Sequence, residues 1–127
     1  MTTETGALAA LFISPDLLFA GKIQAAAGPL GMRVFQETSL PAIERTLAEQ
    51  PVVAVLLDLN ITTPTLAEVM GSLPVASRPL TVAFGPHVNT QRLEEARTAG
   101  FDHVLPRSRF VNELPELLKT ACNRGAV

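Results

Sequence analysis

Two acidic residues sit where chemistry can be done. Asp58 closes the apolar run VVAVLLD at 52–58, with Asn60 two residues on. Asp16 lies far upstream, in ISPDLL at 13–18. Brought together, two such carboxylates can hold a divalent cation or serve phosphoryl chemistry. Each also has an ordinary structural reading. A strand-end carboxylate can accept backbone N–H groups. An acid in the first helical turn, behind a Ser cap and a Pro, is stabilised by the helix dipole by roughly 0.3–1 kcal/mol. Other chemistries find little support. His87 and His103 have no companion His or Cys at ligand spacing, which argues against zinc. No Ser stands on a G-x-S-x-G elbow, and no G-x-G-x-x-G or Walker A pattern is present.

Whether the two acids meet depends on the elements that carry them. Five apolar runs read as strands: LAALFIS (8–14), MRVFQE (32–37), VVAVLLD (52–58), LTVAF (80–84) and DHVLP (102–106). The third is apolar throughout, as suits a central strand covered on both faces. The second mixes in Arg33, Gln36 and Glu37 and reads as an edge. Helical stretches lie between the runs. Ser14 is expected to cap the first, with Pro15 and Asp16 at its first two positions, and Thr63-Pro64 repeats that arrangement for the third. Ser39 and Asn89 cap the second and fourth, and Gly100 closes the fourth. Pro29 frays or kinks the first near Gly28. The last spans about 110–122, which puts Pro115 in its first turn.

Strict β-α alternation predicts an α/β fold, a doubly wound parallel sheet with helices on both faces. Right-handed crossovers and the edge-like second strand favour the flavodoxin-like order 2-1-3-4-5. Strands 1 and 3 are then neighbours, and Asp16 and Asp58 reach the same carboxyl-end rim, where ligands bind in such folds.

Composition sets the outer bounds. A chain of 127 residues, 47% hydrophobic and 17% charged, is expected to fold as one domain, with its core at about 8–122. A net charge of −2, without a Lys/Arg cluster on any element, gives no footprint for nucleic acid. No apolar run approaches the ~20 residues that span a bilayer. The opening MTTETG lacks the apolar core of a signal peptide, and the single Cys122 fits a reducing, cytoplasmic setting.

With these elements in place, the sequence resembles the receiver domain of bacterial two-component response regulators, from about Leu8 to Ala121. LLDLN (56–60) resembles the phospho-acceptor strand, and ARTAGFDHVL (96–105) the stretch leading into the fifth strand. The resemblance implies that Asp58 takes the phosphoryl group. It also implies that Asp16, Asp58 and the Asn60 carbonyl hold Mg2+, and that Arg107, standing where the family has Lys, binds the phosphoryl group. Departures accompany it. The family's paired acids are matched by Pro15-Asp16, the hydroxyl residue ending strand 4 by Gly85, and the switching aromatic of strand 5 by Val104. Fewer carboxylates offset less charge, so Mg2+ binding is expected to be weak.

The expectation is a stand-alone, degenerate receiver: a signalling module, not an enzyme, with phosphorylation at Asp58 weak or absent. It would deliver its output in trans to a histidine kinase, another regulator or a second copy of itself. The family's usual contact face corresponds here to Arg92, Glu95, Val104, Arg109 and residues around Leu117. Two alternatives stay open. One is a working phospho-acceptor with Mg2+-dependent chemistry at Asp58. The other is a small flavodoxin-like enzyme or ligand-binding protein that uses the same rim.

Overall fold

The five apolar runs become five strands: β1 (Ala9–Ile13), β2 (Arg33–Glu37), β3 (Val52–Asp58), β4 (Leu80–Gly85) and β5 (His103–Pro106). Five helices alternate with them: α1 (Leu17–Ala27), α2 (Leu40–Glu49), α3 (Leu66–Gly71), α4 (Thr90–Ala99) and α5 (Arg107–Gly125). This is a computed structural model, and it describes residues 7–125. The opening MTTETG, read above as no signal peptide, lies outside the described residues. None of the described helices is long and apolar enough to cross a membrane.

The sheet is parallel throughout, in the order β2-β1-β3-β4-β5. Every residue of β1 and β3 is buried, as two covered faces require, whereas the polar β2 lies at an edge and is mostly half-buried. One core packs on each face. Phe12, Leu56, Val82 and Phe84 meet α1 and α5 on one side. Leu11, Val55, Leu57 and Ala83 meet residues of α2, α3 and α4 on the other. Alternate residues of one strand feed opposite cores, as the pleat dictates.

Several helix starts differ from the sequence expectation. Asp16, not Ser14, caps α1, and Thr65, not Thr63, caps α3, where it forms a capping box with Glu68. Ser39 and Asn89 cap α2 and α4 as expected, and Gly100 ends α4 in the left-handed conformation. α1 gives way at Gly28 to a single tight turn, Gly28–Leu30, closed by Gly31 at φ 69°. The largest difference is in α5. It begins at Arg107, about a turn earlier than its apolar pattern suggests, so Pro115 lies inside the helix. Buried Phe110, Leu114, Leu117, Leu118 and Ala121 share one face on both sides of that proline. Their packing on β3 and β4 outweighs the hydrogen bond that the proline removes.

Candidate functional site

Asp58 ends β3 and is only 4% exposed. Its Oδ2 accepts the hydroxyl of Ser14 at 2.8 Å, and its Oδ1 accepts the backbone N–H of Asn60 at 2.9 Å. An Nη of Arg107 stands 3.7 Å from the same Oδ1. Two other strand ends supply partners: Ser14 follows β1, the neighbour of β3, and Arg107 follows β5, two strands away. The sheet order explains the first contact, since β1 and β3 are adjacent and end at the same rim. A buried carboxylate away from water needs such partners, and charge-assisted bonds of this kind are the stronger ones.

Ser14 is fully buried, and its place in this network explains why it does not cap α1. Its one proton goes to Asp58, and its oxygen accepts the N–H of Asp16 at 3.1 Å. Asp16 then takes the cap itself, with Oδ1 accepting the N–H of Phe19 at 2.9 Å. From edge strand β2, the Gln36 amide donates to the carbonyls of Ser14 (2.8 Å) and Asp16 (3.2 Å) and pins this corner. Asp16 and Asp58 therefore share a rim and are linked through Ser14. The Asp16 carboxylate, however, serves its own helix.

The Arg107 guanidinium sits over two aromatic rings, 5.1 Å from the centroid of Phe19 and 5.6 Å from that of Phe84. Beneath it, Phe84 and Phe110 stack at 4.2 Å and 6°, with Phe19 5.2 Å from Phe84. A flat, weakly hydrated cation suits this floor better than an ammonium does. Its distance to Asp58 exceeds a hydrogen bond, and its N–H groups make none with the described residues.

The described side chains gather few ligands for a divalent cation. Among the described residues, no three His, Cys, Asp or Glu side chains gather to hold a metal. Of the two carboxylates expected to serve Mg2+, one caps a helix and the other already accepts two hydrogen bonds beside a guanidinium. A divalent cation would have to share these oxygens with the donors already on them. Asn60 is exposed, and the contact it makes with Asp58 is through its N–H.

Gly85, at the end of β4, is occupied by its surroundings. A Cβ there would come 3.1 Å from the Cβ of Leu59. Leu59 is 2% exposed, and its N–H donates to the carbonyl of Phe84 at 2.8 Å. A side chain ending β4 would therefore press against Leu59. Arg92, near the start of α4, fixes the same loop from outside. Its Nε donates to the Leu59 carbonyl at 3.2 Å, and an Nη to that of Ile61 at 2.8 Å.

The contact face expected from the sequence changes accordingly. Arg92 is bound inward to this loop. Leu117 is buried on the core side of α5 and takes no part in a surface. Glu95 and Arg109 are exposed, and Val104 is half-buried. Sequence reading missed Ser14 as the donor to Asp58. The sheet order it derived carries that signal, because it sets the residue after β1 beside the end of β3.

No family model and no curated protein matches the chain. Solved structures do. A response regulator from Thermotoga maritima superposes with a TM-score of 0.72 over 91% of this chain and 97% of its own, at 12% identity. The N-terminal signal receiver domain of a two-component system response regulator from Bacteroides fragilis gives 0.73 over 91% and 96%, at 18%. The phosphorylated cyanobacterial phytochrome response regulator RcpA gives 0.67 over 90% of each chain, at 15%. The fold is that of receiver domains. At these identities the likeness is one of architecture, and the residues at the rim must be judged by their own contacts.

Proposed function

We propose that this chain is a receiver-type signalling module that works through contacts with other proteins, and that phosphorylation of Asp58 is weak or absent. The observation that carries this reading is the state of Asp58. Ser14 and Asn60 occupy its two oxygens, and Arg107 supplies the positive charge that a metal would otherwise bring. To act as a nucleophile the carboxylate would have to present a remaining lone pair beside these donors, with a cation bridging it to the incoming phosphoryl group. Gly85 offers no hydroxyl and Val104 no ring, so a phosphoryl group would meet nothing that responds to it. On this reading the protein is cytoplasmic and is not an enzyme. Its partner is a histidine kinase, another regulator or a second copy, and the exposed Glu95 and Arg109 remain available for contact.

The test is incubation with Mg2+ and acetyl phosphate or beryllofluoride, followed by intact mass and amide NMR. Neither the mass nor the spectrum around Asp58 is expected to change. An adduct or shift that disappears in Asp58→Asn would overturn the silent part of the reading.

A further inference from the structure

We propose that the groove between α1 and α5, beside Arg107, binds a small organic anion: one negatively charged headgroup on an apolar, ring-sized body. The groove has a volume of about 690 Å3, within the roughly 300–1,000 Å3 typical of ligand sites. Phe19, Pro106 and Val111 supply apolar wall, and Lys22, His87 and Arg107 supply nitrogen donors. No carboxylate lines it, in a chain with 12 acidic residues and a net charge of −2. Both positive side chains keep N–H groups to offer. Lys22 forms no ion pair with a described residue, and Arg107 has only the long 3.7 Å approach to Asp58. Cation–π contact with Phe19 and Phe84 places the Arg107 guanidinium, whose N–H groups make no hydrogen bond with the described residues.

Volume and charge favour a small ligand. Pro106 and Val111 line the apolar part of the groove, and Lys22 and Arg107 line it from two different helices. Exposed Leu18 and Val88 stand near the groove in sequence, so an acidic amphipathic peptide is the rival occupant. The proposal goes beyond the signalling reading by giving the module an input. It holds whether or not Asp58 accepts phosphate, because binding is observed directly.

The test is an amide-resolved NMR titration of the full chain with naphthalene carboxylate, and in parallel with the neutral naphthalene carboxamide. Saturable shifts are expected at Lys22, His87, Ser108 and Val111, with the carboxamide at least about tenfold weaker because it forms no charge-assisted bonds. Arg107→Gln and the surface change Lys22→Glu should each weaken carboxylate binding by about tenfold. The second variant keeps the test decisive if the first fails to fold. No saturable shift, equal affinity for the neutral amide, shifts confined to another surface, or undiminished binding in both variants would overturn the proposal. So would displacement of the probe only by an acidic amphipathic peptide that itself binds across Leu18 and Val88.

Discussion

Arg107 stands 3.7 Å from the carboxylate of Asp58 while its face rests on the rings of Phe19 and Phe84. One guanidinium thus joins the charged rim of the sheet to the aromatic core beneath it. Removing it as Arg107→Ala is expected to cost about 1–2 kcal/mol, from the lost stacking and from a buried carboxylate with less compensation. Arg107→Lys keeps the charge but not the flat face, and should fall between the two. Urea denaturation followed by circular dichroism gives the order; a lysine variant less stable than the alanine one would contradict it.

Ser14→Ala leaves one oxygen of buried Asp58 without its donor and the N–H of Asp16 without its acceptor. A loss of about 1–3 kcal/mol is expected. Combined with Asp58→Ala, the costs should fail to add by about 1 kcal/mol, since both changes break one network. A double-mutant cycle from equilibrium unfolding measures the coupling.

Gly85→Thr restores the hydroxyl found in receiver domains, at a position where even a Cβ would approach Leu59 to 3.1 Å. Leu59 is held through its own N–H and, by Arg92, through its carbonyl, so it has little room to yield. The variant is expected to lose about 1–3 kcal/mol from overpacking, and to gain no phosphorylation on intact-mass analysis with acetyl phosphate. An unchanged urea midpoint would show that Leu59 moves freely.

Pro115 is exposed and lies inside α5, where it cannot donate to the preceding turn. Pro115→Ala restores that bond without disturbing the packed face, and should raise stability by about 1–3 kcal/mol. A higher thermal midpoint checks this.

Much of the architecture was legible because hydrophobic burial dictates it. The unbroken apolar run ending at Asp58 marks a central strand and the polar 32–37 run an edge; with β-α alternation and right-handed crossovers these give the parallel order. Asp58, Ser14 and Arg107 come together for the same reason. What could not be read is which hydrogen bond each short polar side chain chooses. Ser14 before Pro15 is a good cap by local rules, yet a buried carboxylate across the sheet is a stronger claimant for its proton. Local rules also place Pro115 in a first turn, whereas the apolar face running from Phe110 to Ala121 carries α5 through it. The clash at Gly85 depends on how closely Leu59 approaches, and that distance exists only in three dimensions.

The stacked phenylalanines have a practical corollary. The chain contains neither Trp nor Tyr, so its near-ultraviolet absorption comes from phenylalanine alone. Phe12, Phe19, Phe84 and Phe110 form one ring assembly directly below Arg107. Four of the six phenylalanines thus report on the rim in that weak band, free of any Trp or Tyr signal, with Phe35 and Phe101 as background.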